Sequence, residues 1–163
     1  MAQTNRPWHH LAPCTDFAWR IPNDPYSSGS EDPAMKVLVC GGRFFTDREA
    51  VFKQLCKLHK ERPISSIIEG GQRTFDGDTG AWIGGADYWA RRFAENQLIE
   101  CRTHYADWDA HGKAAGPIRN QHMLDEEKPD LVVAFPGGKG TADMVRKAKA
   151  AGVKVIEVKE RTP

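Results

Sequence analysis

The chain has 163 residues, enough for one domain with a proper hydrophobic core. Its 40% hydrophobic and 28% charged residues are typical of a globular protein, and no apolar run approaches the roughly 20 residues that cross a membrane. The formal net charge of +1 argues against a large sequence-independent nucleic-acid surface, because such surfaces are strongly basic.

Residues 1–34 differ in composition from the rest of the chain. They contain five of the ten prolines and the stretch YSSGSEDP, without a helical or a strand period. This composition predicts an irregular, Pro-rich N-terminal arm that ends in a linker. The arm carries four aromatic residues, so docking on the domain or on a second subunit stays open. It lacks the basic-then-apolar pattern of an export signal, and we expect a cytoplasmic protein.

From residue 35 onward, short apolar runs alternate with segments of helical periodicity, which predict strands and helices respectively. Such alternation favours parallel strand pairing with right-handed crossovers. Residues 35–160 are therefore predicted to form a doubly wound three-layer α/β sandwich with a five-stranded, mostly parallel sheet in the order 3-2-1-4-5. The predicted strands are 36–40, 64–71, 99–106, 130–135 and 153–158, and the predicted helices are 47–61, 85–97, 117–127 and 140–152.

Residues 72–84 are too long for a plain connection between a strand and a helix. Loops of this length in compact domains are usually functional or mobile. Phe75 and Trp82 in this loop are compatible with two roles, covering a base or contacting a partner subunit.

Three of the predicted strands end in glycine-rich turns, at residues 41–42, 70–71 and 137–140. Each ordered glycine costs about 0.5–1 kcal/mol, so such a cluster needs a reason. Either the protein's own atoms crowd these turns, or an outside group approaches the backbone closely. In open α/β sheets, ligands bind beyond the carboxyl ends of the strands where the strand order reverses, here between the first and fourth strands. The clustering favours a ligand crevice.

The ligand of this crevice is predicted to be an anion. A helix begins near Thr141, and its free N–H groups and dipole favour negative charge by about 0.3–1 kcal/mol. The spacing matches neither a P-loop, since GGKGT lacks the spacer and the Lys-Thr pair, nor the dinucleotide fingerprint G-x-G-x-x-G. The predicted ligand- and phosphate-binding residues are Gly41, Gly42, Arg43, Gly70, Gly71, Asp87, Arg119, Asn120, Pro136, Gly137, Gly138, Lys139, Gly140 and Thr141.

The segment PGGKGTADM resembles the P-G-G-x-G-T signature of the SLOG superfamily, which groups LOG-type phosphoribohydrolases with Smf/DprA DNA-processing proteins. The segments KVLVCGGRFFTD, GGADYWA and ADWDAHGKAAGPIRNQHM are similar to its small YspA-like branch, and the resemblance covers about residues 35–158. It implies a Rossmann-like fold that binds a nucleotide or nucleotide-derived ligand, a homo-oligomer such as a dimer, and a bacterial or phage source. Residues 72–84 look like an insertion relative to the family.

The family pattern raises the question of catalysis without answering it. LOG-type enzymes cleave an N-glycosidic bond with an arginine and the glutamate of P-G-G-x-G-T-x-x-E, and here the glutamate position is Met144. The neighbouring Asp143 is rotated by about 100° on a helix and is no simple replacement. Arg119 corresponds to an arginine that contacts phosphate or sugar in LOG-like relatives; an internal salt bridge is the other interpretation. Asp109 lies in a loop where its carboxylate fits acid/base catalysis, a weak metal site or loop capping.

The leading hypothesis is therefore a sensor or carrier that binds a nucleoside phosphate or an ADP-ribose-like molecule. The alternative is a nucleotide N-glycosidic hydrolase whose catalytic residues are Arg119, Asp143 and Asp109, with Glu69 as another possible carboxylate. A DprA-like DNA-processing accessory protein is the second alternative, which the net charge disfavours. We predict no cofactor, no metal site and no membrane contact.

Overall fold

The structure, a computed structural model, describes residues 34–159 of the chain, in which strands and helices mostly alternate. Residues 1–33 of the predicted arm lie outside the described residues. The elements are β1 (Met35–Cys40), α1 (Arg48–Glu61), β2 (Ile64–Glu69), β3 (Thr74–Asp76), β4 (Ala81–Gly84), α2 (Ala86–Gln97), β5 (Glu100–Thr103), α3 (Trp108–His111), a 3₁₀ turn (Gly112–Ala114), α4 (Ala115–Glu127), β6 (Leu131–Ala134), α5 (Lys139–Ala150) and β7 (Lys154–Glu157).

Five of these strands form one parallel sheet in the order β5-β2-β1-β6-β7. This order confirms the predicted 3-2-1-4-5 arrangement once only the strands of this sheet are counted. β1 pairs with β6 from Val37 opposite Leu131 to Cys40 opposite Ala134, so their carboxyl ends lie side by side. Successive strands are added on one side of β1 up to β5 and on its other side from β6 onward. This switch in strand order places the predicted crevice at the carboxyl ends of β1 and β6.

The sheet is the centre of the hydrophobic core. Val37, Leu38 and Val39 of β1 are fully buried, as expected for a strand that helices cover on both faces. α1 packs against α2, and α4 packs against α5, which gives the two helical layers. No helix in the described part of the chain is long and apolar enough to cross a membrane.

Local sequence signals account for much of this structure. The carboxylate of Asp47 accepts a hydrogen bond from the Ala50 N–H and caps α1, as its position before the apolar periodicity predicts. Pro117 was expected to be the first residue of its helix, but α4 begins two residues earlier, at Ala115. Pro117 still lies in the first turn, where a backbone N–H has no helical acceptor.

Residues 72–84 form a small antiparallel hairpin of β3 and β4 rather than an irregular loop. Phe75 and Trp82 are cross-strand partners with ring centroids 5.2 Å apart, and both are about half exposed. The hairpin joins the rest of the domain through Gly85, whose N–H donates to the Phe45 carbonyl. Contact of this aromatic pair with a partner subunit stays a prediction.

Candidate functional site

The glycine-rich turns after β1 and β6 lie directly against each other. The Gly42 N–H donates to the Pro136 carbonyl over 2.9 Å, and the Phe135 N–H donates to the Cys40 carbonyl over 2.8 Å. A Cβ atom on Gly137 would lie 2.6 Å from the Gly42 nitrogen and in contact with the Thr141 hydroxyl. The two turns thus meet backbone to backbone.

The protein's own packing accounts for several of the predicted ligand-binding glycines. A Cβ on Gly41 would lie 2.5 Å from the Cβ of Ala86, at the start of α2. A Cβ on Gly70 would collide with the Arg119 guanidinium, and one on Gly71 would lie 2.6 Å from the ring of Tyr105. At these positions glycine is required whether or not a ligand binds.

Gly138 and Gly140 are different, because within residues 34–159, their own chain neighbours and helix backbone aside, no atom lies within 4 Å of the place where their Cβ atoms would be. Neither residue has a positive φ; that of Gly138 is −95°. Steric crowding and backbone conformation therefore do not require glycine at either position. Of the two reasons for the glycine cluster, crowding by the protein is thus not supported here, and Gly138 also serves as the N-cap of α5, a position that suits glycine.

The turn that contains Gly138 borders a cleft of about 570 Å³. The Val158 N–H donates to the Ala134 carbonyl, which extends the pairing of β6 with β7 by one residue. Lys159, the next residue, therefore lies beside this turn. Phe44 is 75% exposed, whereas its neighbour Phe45 packs on Phe135. The residues lining the cleft are Gly42, Phe44, Phe45, Thr46, Asp47, Ala50, Pro136, Gly137, Gly138 and Lys159.

The charged residues of the cleft differ from those predicted. Arg43 and Lys139 are exposed and are not among the residues that line it. Lys159 supplies the positive charge instead, and Asp47 the negative charge. Sequence reasoning missed Lys159, although its position just after the fifth predicted strand, at the same sheet edge as the glycine turns, is a usable signal.

Arg119 and Asn120 connect elements of the protein to each other. The Arg119 guanidinium donates to the carbonyls of Gly70 and His104, after β2 and β5. Burial lowers its pKa, although Asp87 and Glu69 oppose this effect. The Asn120 amide donates to the Gly140 carbonyl over 3.1 Å and so holds the first turn of α5 against α4. Neither residue lines the cleft, and ligand contact by either stays a prediction.

The predicted catalytic carboxylate Asp143 is fully engaged by protein groups. Its oxygens accept from Asn120 over 3.1 Å, Arg146 over 2.6 Å and Lys147 over 2.9 Å. Burial raises the pKa of Asp143, but hydrogen bonds from Lys147, Asn120 and Arg146 together hold it below its usual value. Asp143 therefore acts as an ionised link between α4 and α5, and the structure offers no support for a catalytic role.

The other carboxylates considered for catalysis do not line the cleft either. Asp109 is exposed on the short helix α3, which its neighbour Asp107 caps through the Ala110 N–H. Glu69 is only 1% exposed and accepts from Arg91 over 2.8 Å and from the Gly71 N–H. Met144, at the position of the family's catalytic glutamate, is fully buried in the hydrophobic core.

Asp87 holds the turn after β2. One of its oxygens accepts from the Gly70 N–H over 3.1 Å and from the Gln72 N–H over 3.0 Å. Burial, and next the neighbouring Glu69 carboxylate, raise its pKa to about 7. Binding of a ligand hydroxyl by Asp87 stays a prediction.

The raised pKa of Asp87 predicts that its contribution to stability falls between about pH 4 and pH 7. In this range folded Asp87 keeps a proton that the unfolded chain, with a pKa of about 3.9, has released. Above pH 7 both states are ionised and the contribution is constant. Asp87→Asn keeps an oxygen acceptor and removes the titration. Denaturant unfolding at pH 5 and at pH 8 should show that the free energy of unfolding falls by about 2–3 kcal/mol more in wild type than in the variant. If the free energy of unfolding falls equally in both proteins, the pKa of Asp87 is not raised.

Three comparisons place the chain among known proteins. The YAcAr profile, described as "YspA, cpYpsA-related SLOG family", matches residues 35–111. The Gene 61 protein of Mycobacterium phage D29 is 35% identical over 124 residues, which cover 74% of this chain and 94% of that protein. The crystal structure of glycinamide ribonucleotide transformylase 1 from Symbiobacterium toebii matches with a TM-score of 0.33 and 12% identity. That match covers 74% of this chain and 61% of the transformylase chain.

Proposed function

Because this chain belongs to the YspA, cpYpsA-related SLOG family, we propose that it binds a nucleotide or nucleotide-derived ligand in the cleft described above. The ligand is a nucleoside phosphate or an ADP-ribose-like molecule, and the protein serves as its sensor or carrier. One observation carries the proposal: Gly138 and Gly140 lie at the start of α5, where no crowding by the described residues accounts for the lack of a side chain.

The first turn of α5 supplies the phosphate site. Ala142 is the first residue of α5 whose backbone N–H has an acceptor at the start of the helix, the Gly138 carbonyl. The preceding N–H groups, of residues 139–141, have no acceptor within the helix. Gly138 offers no side-chain cap, and the first turn contains no acidic residue. By contrast, α1 carries its own carboxylate cap, Asp47. A phosphate at α5 would accept from the free N–H groups and interact favourably with the helix dipole.

The rest of the cleft suits the other parts of a nucleotide. Its volume of about 570 Å³ lies within the range of roughly 300–1,000 Å³ that is typical of small-molecule sites. Phe44 offers an exposed ring on which a base can stack, at the same cleft that Gly138 borders. Lys159 adds a positive charge beside the glycine turn.

Binding without turnover is the expected behaviour. N-glycosidic hydrolysis through an oxocarbenium-like state needs a carboxylate beside the scissile glycosidic bond. Of the carboxylates considered for catalysis, Asp143 and Glu69 are held by protein groups and Asp109 lies outside the cleft. The family's glutamate position is occupied by Met144 in the core.

Calorimetric titration with AMP and ADP-ribose tests the proposal, with adenosine and inorganic phosphate as controls. We expect at least one of the two nucleotides to bind about tenfold or more tightly than adenosine, because the phosphate contacts are charge-assisted. Chromatography of the same mixtures should show no free base after prolonged incubation. Release of base would favour the hydrolase instead. A band shift with DNA that weakens steeply with salt, without nucleotide binding, would favour the DNA-processing alternative.

A further inference from the structure

The cleft contains a carboxylate that the proposed phosphate site does not explain. Asp47 lines the cleft and is the only acidic residue among the lining residues that belong to the described part of the chain. In an anion-binding cleft its charge repels the ligand, so its presence needs a reason beyond the phosphate. Capping of α1 is one reason, because its Oδ1 accepts from the Ala50 N–H over 2.9 Å. However, uncharged Ser, Thr and Asn cap helices about as well as Asp.

Capping uses only part of the hydrogen-bonding capacity of Asp47. An ionised carboxylate has about four lone-pair sites, and the bond to Ala50 occupies one. Among residues 34–159, no group donates to the second oxygen, Oδ2. Thr46, next in the chain and also lining the cleft, adds a hydroxyl on the same wall. This wall is therefore suited to O–H or N–H donors of a ligand.

A divalent cation is a weaker explanation for this carboxylate. Within the described part of the chain, no group of three or more His, Cys, Asp and Glu side chains is placed to hold a metal ion. A single protein carboxylate seldom binds a cation without substrate phosphates or further ligands. A hydroxyl pair needs only the lone pairs that Asp47 has left.

We infer that Asp47 binds the ribose diol of the nucleotide, so that the cleft selects ribonucleotides over nucleotides that lack these hydroxyls. This inference rests on the proposed function. In a nucleotide the diol lies on the sugar between the base and the phosphate. The same cleft presents Phe44 to the base, the Gly138 turn to the phosphate and Asp47 to the sugar. Asp47 is thus a specificity-determining residue.

The test compares the affinities of AMP, 2′-deoxy-AMP and 2′,3′-dideoxy-AMP for the full chain. We expect wild type to bind AMP about tenfold or more tightly than the dideoxy compound. Asp47→Asn keeps the cap but turns the second oxygen into an N–H donor. It should weaken AMP binding about tenfold and leave dideoxy-AMP binding unchanged or improved. Glu49→Gln, which removes a charge from the same helical turn outside the cleft lining, should preserve the preference.

The outcomes separate this inference from the proposed function. If wild type binds AMP and dideoxy-AMP equally, the diol assignment is wrong while nucleotide binding stands. If no nucleotide binds, the proposed function itself fails. Asp47→Ser, which also caps helices, is a second variant. If both variants weaken all three nucleotides equally, Asp47 is only a structural cap. A preference that requires Mg²⁺ and disappears with EDTA would assign Asp47 to a cation and overturn the inference.

Discussion

Gly138→Val is expected to weaken nucleotide binding by about a hundredfold or more while leaving the protein folded. The new side chain would project away from the described residues, since Gly138 has none of their atoms within 4 Å of its Cβ position apart from its chain neighbours. It would occupy the space through which a phosphate reaches the free N–H groups at the start of α5. Each hydrogen bond to a charged group is worth about 1.5–3 kcal/mol, and losing one or two gives this loss of affinity. Stability should fall by about 1 kcal/mol or less, since valine is a poorer helix cap than glycine.

Two glycine variants serve as controls for this result. Gly77→Val, in the hairpin turn, places valine at an equally open position away from the cleft, and affinity should be unchanged. Gly137→Val should instead lower the melting temperature strongly, because its Cβ would lie 2.6 Å from the Gly42 nitrogen. Calorimetry and thermal unfolding on the three variants separate the two effects. Wild-type affinity in Gly138→Val would show that the phosphate does not lie against this turn.

Met144→Glu is expected to unfold the protein or to destabilise it by at least about 3 kcal/mol, rather than restore a hydrolase. Met144 is fully buried on α5, among core residues that include Leu38, Ile68 and Met123. A carboxyl group placed there without a hydrogen-bond partner has a large desolvation penalty. For a domain whose total stability is about 5–15 kcal/mol, this is a large fraction.

Denaturant unfolding of Met144→Glu and Met144→Leu measures this effect. The leucine variant conserves volume and apolarity and should lose less than about 1.5 kcal/mol. If the glutamate variant is folded and releases free base from AMP, the side chain at this position reaches the ligand. That result would contradict the assignment of Met144 to the core alone, while nucleotide binding by the wild-type chain would stand.

The fold was predictable because its signals are local and repeated along the chain. Apolar runs such as 37–40 identify strands covered on both faces, and Asp47 before the periodic residues marks the start of α1. The predicted strand order was confirmed by the observed order of the sheet, in which β1 pairs with both β2 and β6. The hairpin of β3 and β4 was missed, because strands of three and four residues leave almost no periodic pattern.

The candidate site was predictable only as a location. The glycine-rich turns 41–42 and 137–140 do adjoin at one sheet edge, as the topology required. Which glycines are needed by the protein and which are open to a ligand could not be read from the residues themselves. That distinction depends on neighbours distant in the chain, such as Ala86 beside Gly41 and Arg119 beside Gly70.

The layers and the sheet edge where the glycines gather follow from the residues alone, because periodicity and chain direction are properties of contiguous residues. It takes the folded chain to show that Arg119 and Asp143 bind other parts of the protein, and that Lys159 and Asp47 line the cleft. The physical reason is that a side chain's partners are set by the packing of elements far apart in the chain. Residue type and spacing leave those distances undefined.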